Sequence, residues 1–258
     1  MNAEILSVGT EILLGDIVNT NAEYIARGLA ELGVGVYYQT VVGDNPERMK
    51  KAMDIAFDRA DVIVTTGGLG PTGDDLTKEI GAEYFKRKLV LDEETLVRIK
   101  TFFDKMKRPM TENNVKQAMI PEGAVVMRND NGTAPGIIIE GESKTIIMMP
   151  GPPREMKPMF DGQVKPFIAS RLSGAIVSRT LRIAGVGESA MEARVRDLTD
   201  GLKNPTVAPY AKETEAVLRI TASAETEKEA EEMIAPVADE IYKRFGEDVY
   251  AEGETSIQ

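Results

Sequence analysis

The chain has 258 residues, a formal net charge of −11, and neither cysteine nor histidine. That length accommodates a main domain and a smaller one, and the negative charge argues against nonspecific binding to nucleic acid or to an anionic membrane. Lacking His and Cys, the chain has no disulfide framework, no His- or Cys-based triad and no ordinary zinc site. Any metal chemistry falls to carboxylates, carbonyls, hydroxyls and water, which suit Mg²⁺ or Mn²⁺. No apolar run approaches membrane-spanning length. The N-terminus enters a strand pattern directly, without a signal peptide, and a cytoplasmic location is the expectation.

Residues 3–9 read as a short apolar strand ending at Gly9, with Glu11 just beyond it. Ligands gather past strand ends in open α/β sheets, so Glu11 is either a site carboxylate or a solvated loop acid. Asn19, Thr20 and Asn21 offer caps for a helix with Tyr24, Ile25, Leu29 and Leu32 on its apolar face, stopped by Gly33. Residues 34–42 form a second strand pattern, followed by Gly43-Asp44-Asn45-Pro46 and a helix with Met49, Met53 and Phe57 at helical spacing. Locally, Asp44 reads as the N-cap of that helix.

Val62-Ile63-Val64-Thr65-Thr66 is a buried strand by pattern, and it empties into a turn on which the rest of the domain is organised. Residues 67–77 hold four glycines, one proline, two aspartates and two threonines. Glycines allow sharp bends and close approach of a ligand to backbone N–H groups. The helix expected from about Leu76 adds unpaired amides and a positive dipole end, which suit phosphate. Asp74 and Asp75 provide two carboxylates to hold a hard cation against that phosphate. A helix cap alone requires none of this richness.

Strand, helix, strand, helix, strand, helix is the order of a mainly parallel sheet with helices on both faces. A further helix is expected over residues 91–106, capped by Asp92 and ending in a basic cluster at Lys105, Lys107 and Arg108, which either complements the helix dipole or forms a phosphate-facing lip. A short helix follows from Thr111 to Met119. Two strands then flank a turn-rich loop at 129–135, and an apolar strand at 144–149 runs into Pro150-Gly151-Pro152-Pro153-Arg154. Arg154 is a bidentate phosphate ligand or the partner of a carboxylate.

Beyond Gly174 the sequence alternates a strand, a helix, two strands, a long helix from Thr226 to Phe245 and a final strand at Val249-Tyr250, a small two-layer α+β unit. Arg179, Arg182, Arg194 and Arg196 are expected to pair with nearby acids, and no RNA-binding pattern is present. Gly185-Val186-Gly187-Glu188 precedes a helix but lacks a carboxylate pair, so it does not read as a phosphate motif. Residues 251–258 read as a linker or tail without a closing element.

The stretch Gly67 to Thr77 resembles the molybdopterin-binding superfamily and, more closely, the N-terminal part of the CinA (competence/damage-inducible) family. Residues 7–15, 42–45, 112–114, 132–136 and 150–156 support the resemblance in family order, while residues 175–250 resemble that family's KH-like domain. The resemblance implies a three-layer α/β/α fold over residues 1–172, with a mainly parallel sheet, followed by a KH-like α+β domain over 175–250. The Glu-Ser-Cys-Thr-Gly-Gly motif of the family's nicotinamide mononucleotide deamidase domain is absent from these residues, so that activity is not expected of them.

The activity the resemblance implies is divalent-metal-dependent hydrolysis of ADP-ribose to AMP and ribose 5-phosphate. The cofactor expected is Mg²⁺, Mn²⁺ or Co²⁺, with K⁺ as a further candidate. Asp75 and Asp44 match the superfamily's paired aspartates, which moves Asp44 from cap to site. Catalysis is expected from Asp44, Asp75 and Glu11, metal binding from Asp44, Asp74 and Asp75, and phosphate binding from Gly67, Gly68, Leu69, Gly70, Pro71, Thr72, Asn45 and Arg154. Leu69 and residues 133–137 are candidates for the adenine subsite. A small-molecule nucleotide is the expected partner and a homodimer the expected assembly. The rivals are a module that binds molybdopterin or nucleotide without cleaving it, and molybdenum-cofactor adenylyl or metal transfer.

Overall fold

Apolar β-branched runs separated by amphipathic helices build the first part of the chain. In the computed structural model, which describes residues 1–172, 174–211 and 215–253, these begin with β1 (Asn2–Val8), α1 (Thr10–Leu14), α2 (Thr20–Glu31), β2 (Gly35–Val42), α3 (Pro46–Arg59), β3 (Val62–Thr66) and α4 (Thr77–Tyr84). There follow β4 (Leu89–Leu91), α5 (Glu93–Lys105), a 3₁₀ segment (Glu112–Ala118), β5 (Met119–Pro121), β6 (Val125–Met127), β7 (Gly136–Glu140) and β8 (Thr145–Met149). The last helical stretch comprises α6 (Pro153–Met159), a π-helical segment (Phe160–Val164) and α7 (Lys165–Ala169).

Six strands form one sheet in the order β2-β1-β3-β8-β7-β6. β1 lies parallel to β2 and β3, and β3 parallel to β8, while β7 and β6 are antiparallel. Period-two alternation sends Leu6, Ile63, Ile137 and Ile146 to the face covered by Met49, Met53 and Phe57 of α3. The alternate residues Ile5, Val64, Ile138 and Ile147 are equally buried on the other face. Burial on both faces is what a mostly parallel sheet requires. The chain crosses from β2 over β1 to β3, so β1 and β3 flank the point where the strand order reverses, and a crevice opens there past the strand ends.

Two expectations are corrected. The helix expected over residues 91–106 is present as α5 and is capped by Asp92 as expected, the Asp92 Oδ2 accepting from the Thr95 amide at 2.8 Å, but its start moves to Glu93, since Leu91 closes β4 opposite Met119 of β5. A capping residue is non-helical, so the residue before it cannot belong to the helix. Asp44 is likewise not the cap of α3. Pro46 occupies the first helical position, which places the cap one residue earlier, at Asn45; its Oδ1 accepts from the Arg48 amide at 3.0 Å.

The chain divides into two compact units, Met1–Ala30 with Val34–Ser170, and Glu31–Gly33 with the residues from Arg171 onward. The second unit contains β9 (Ala175–Ile183), α8 (Glu188–Gly201), β10 (Thr206–Ala211), β11 (Ala216–Ala224), α9 (Glu227–Phe245) and β12 (Val249–Glu252). Its sheet is antiparallel throughout, in the order β10-β11-β9-β12. Leu181, Ile183, Leu218 and Ile220 pack against Met191 and Val195 of α8 and Ile234 and Ile241 of α9. A reciprocal box between Thr226 and Glu229 caps α9. Arg179 pairs with Glu231, Arg182 with Glu215, Arg194 with Asp248 and Arg196 with Glu192. The expected tail shortens, because β12 runs through Glu252; residues 254–258 lie outside the described residues. No helix among the described residues is long and apolar enough to cross a membrane.

Candidate active site

Parallel pairing puts the C-terminal ends of β1, β2, β3 and β8 at one edge of the sheet. Their loops are tied together there: the Gly9 amide donates to the Val42 carbonyl and the Gly67 amide to the Met149 carbonyl, each at 3.0 Å. Asn21 Nδ2 donates to the Thr66 hydroxyl at 2.9 Å and to the Gly151 carbonyl at 2.6 Å, joining α2 to the ends of β3 and β8.

The turn after β3 is possible only with glycine. Gly67 has φ 104° and Gly68 φ 67°, both in the left-handed region. A Cβ on Gly67 would run into the Val8 carbonyl oxygen, one on Gly68 into the Thr77 hydroxyl, and one on Gly70 into the Asp75 carboxylate. Thr77 holds the turn from beneath, its hydroxyl donating to the Gly67 carbonyl at 2.9 Å and its amide to the Gly68 carbonyl at 3.1 Å. The first amide of α4 is therefore turned into the loop. Among the described residues no hydrogen bond takes up the N–H groups of Gly68, Leu69 and Gly70. Successive unengaged amides form an anion-binding concavity.

The carboxylates around the turn are fixed through single oxygens. Asp44 Oδ2 accepts from the Thr10 amide at 3.0 Å and from the Thr10 hydroxyl at 2.8 Å. Asp75 Oδ2 accepts from the Thr72 amide at 3.0 Å and lies 2.5 Å from the Thr72 hydroxyl, which is also 2.5 Å from Asp74 Oδ1. One hydroxyl proton thus serves two anionic oxygens. The Thr72 hydrogen bond, together with the Asp74 backbone amide and the Lys116 charge, holds the Asp74 carboxyl below its ordinary 3.8, with burial opposing. Lys116 Nζ donates to the Thr72 carbonyl at 2.7 Å and to the Asp75 carbonyl, clamping the loop from the 3₁₀ segment.

A cleft of 410 Å³ opens over these groups. Gly67, Gly68, Leu69, Gly70, Pro71, Thr72, Asp74 and Asp75 line it, and Glu11 and Asp44 complete that side. Two expected phosphate ligands are not in its walls. The Asn45 side chain is engaged as the α3 cap, and the Arg154 side chain is 79% exposed, 3.9 Å from Glu155. Thr133 and Ala134 do line the cleft, whereas residues 135–137 do not.

Sequence reasoning missed Gln117 and Glu155, which also line the cleft. Glu155 is only 8% exposed and accepts from Asn129 Nδ2 at 2.8 Å; the same nitrogen donates to the Ala134 carbonyl at 2.8 Å. The Pro-rich stretch before it drew attention to Arg154 instead. Among the described residues no group of three or more Asp, Glu, His or Cys converges as a metal-binding cluster. The donor set nonetheless fits a hard cation: two carboxylate oxygens meet on one hydroxyl, and Mg²⁺-type sites commonly combine one or two carboxylates with substrate phosphates and water.

The family model described as "Probable molybdopterin binding domain" matches residues 4–170, and that described as "Damage-inducible protein CinA KH domain" matches residues 178–251. The chain belongs to the CinA family. A CinA-like protein of Dictyoglomus thermophilum is 60% identical over 258 residues, covering 100% of this chain and 63% of its own length. The CinA-like protein of Dictyoglomus turgidum is 59% identical with the same coverage, so this chain spans 63% of the length of these curated relatives. Among solved structures, the protein CinA from Thermoplasma acidophilum is 37% identical with a TM-score of 0.59, covering 64% of this chain and 96% of that one. The CinA-family fold is therefore a molybdopterin-binding-like α/β unit with a mostly parallel sheet, followed by a KH-like antiparallel unit.

Proposed function

We propose that this CinA-family chain hydrolyses the pyrophosphate bond of ADP-ribose, or of a closely related nucleotide, to AMP and ribose 5-phosphate. The observation that carries the reading is the meeting of three unengaged amides, at Gly68, Leu69 and Gly70, with Asp44, Asp74, Asp75 and Glu11 in one cleft. Amides without side-chain charge suit phosphate oxygens that must be released after the reaction. Asp44 and Asp75 each keep one oxygen fixed by a threonine and the other available to orient a water. That water's oxygen bonds to phosphorus as the bridging P–O bond breaks, and its proton passes to a carboxylate.

Asp74 and Asp75, whose oxygens meet on the Thr72 hydroxyl, would hold a divalent cation with the substrate's phosphates, and Asp44 would stand beside them in the cleft. When bound, such an ion neutralises phosphate charge and lowers the pKa of a coordinated water, supplying what a chain without histidine otherwise lacks. Glu155, fixed by Asn129, and Thr133 border the far side of the cleft and orient the substrate there.

The test is AMP release from ADP-ribose by the purified chain with Mg²⁺, Mn²⁺ or Co²⁺, beside Asp75→Asn. We expect metal-dependent AMP formation that the substitution lowers by at least about 100-fold. Saturable nucleotide binding without turnover, with every metal, would favour a binding module instead.

A further inference from the structure

A second cavity, of 260 Å³, adjoins the cleft; Thr133 lines both. One wall is α5, where Arg98, Phe102 and Lys105 follow the spacing that shares a helix face. The other is the 128–135 loop, the same loop that Asn129 fastens to Glu155 in the cleft. Ile99, 2% exposed, provides apolar ground beneath.

The charge of this cavity runs against that of the chain. A molecule of net charge −11 here gathers three cations, Arg98, Lys105 and Arg128, and one acid, Asp130. Asp130 is already engaged, its Oδ1 accepting from Arg128 Nε at 2.5 Å. Among the described residues Arg98 and Lys105 have no ion pair. Arg98 makes one long hydrogen bond, Nη2 to the Thr95 hydroxyl at 3.3 Å, and its Nε is buried without any partner. Buried donors are nearly always satisfied, and Arg98 and Lys105 both line the cavity with donor capacity left over among the described residues, which an acceptor entering it would take up. The guanidinium fork matches phosphate oxygens, and Phe102 offers an aromatic face for a sugar or base.

We infer that this cavity is a phosphate-monoester subsite, built to take the phosphorylated ribose of a nucleotide whose pyrophosphate lies on the glycine turn. The inference rests on the reading of the cleft as a pyrophosphate site, and ranks nucleotides with an additional ribose phosphate above ADP-ribose itself among its ligands. Arg98 and Lys105 meet that phosphate, and Thr133 borders both chambers.

The experiment is calorimetric binding of adenosine 2′,5′-bisphosphate and of AMP to the full chain, which needs no turnover. The bisphosphate should bind at least about tenfold more tightly than AMP. Arg98→Gln with Lys105→Gln should erase that preference and leave AMP binding unchanged. Lys105 is exposed, so Lys105→Gln alone provides a variant that folds, with part of the preference lost. Equal affinities in the parent chain, a preference that survives the double substitution, or no binding of either nucleotide overturns the inference. Failure to release AMP from ADP-ribose retires the catalytic reading and leaves this comparison intact.

Discussion

Residues 67–76 and 185–187 each carry the chain from the end of a buried strand into a helix, and both are rich in glycine. At the first, a Cβ on Gly67 would meet the Val8 carbonyl, one on Gly68 the Thr77 hydroxyl and one on Gly70 the Asp75 carboxylate, and only Gly73 faces open space; at the second, a Cβ on Gly185 or Gly187 would meet nothing within 4 Å. The contrast follows from the sheets. β3 lies between parallel neighbours, so four strands deliver their loops to one edge and the turn is crowded by functional groups. β9 ends between antiparallel neighbours, where Ile183 faces the beginnings of β11 and β12, and among the described residues the loop to α8 is the one strand-to-helix loop that leaves that edge. Glycine composition is common to both turns; convergence belongs only to the parallel sheet.

The largest effect that would break this comparison is at Gly67. Alanine there requires φ near 104° and drives a Cβ into the Val8 carbonyl, an atom fixed in the sheet. We expect Gly67→Ala to lower stability by about 2–4 kcal/mol, since strain and displaced backbone act together. Chemical denaturation reads it directly. A loss under about 0.5 kcal/mol would mean that the turn relaxes freely and that its shape is not imposed by the neighbouring strand.

A smaller effect sharpens the account of the carboxylates. Thr72→Val keeps the size and the backbone amide but removes the hydroxyl that serves Asp74 and Asp75. That hydrogen bond is the chief cause of the lowered Asp74 pKa. A depressed folded-state pKa contributes stability above the unfolded value and loses it as pH falls through the folded value. In the variant the Asp74 titration should therefore move up toward 3.8, and its contribution should disappear at a higher pH. Carboxyl-carbon NMR titration measures this; an unmoved midpoint would assign the shift to Lys116 and the backbone instead.

The parallel strands, the glycine turn and the Asp74–Asp75 pair were legible because each is written in contiguous residues. Asp44 was legible in place but not in local role, because whether Asp44 or Asn45 caps α3 depends on Pro46 fixing the first helical position. Lys116 and Gln117 reach the turn from a 3₁₀ segment more than 40 residues away in sequence, and no local periodicity announces such a contact. Glu155 sits beside Arg154 and carried no expectation, yet it is Glu155 that lines the cleft. The guanidinium drew the phosphate reading by its chemistry, yet burial and the Asn129 hydrogen bond put the carboxylate into the cleft. The β4–β5 pair was hidden because two three-residue strands carry too few residues to show alternation.

The smallest expected effect is at Gly187, and it is the control that gives the Gly67 result its meaning. Gly187 caps α8 with φ −68° and ψ 152°, a conformation open to any residue, and the space around its missing Cβ is empty. Alanine is a slightly poorer cap than glycine, by a few tenths of a kcal/mol, while the loss of unfolded-state freedom favours it by a similar amount. Gly187→Ala should thus change stability by less than about 0.5 kcal/mol, with AMP release unaltered. A cost near that of Gly67→Ala would show that the second turn is under constraint too. The difference between the two sheets would then lie in which loops carry carboxylates, and no longer in how tightly the strands hold their glycines.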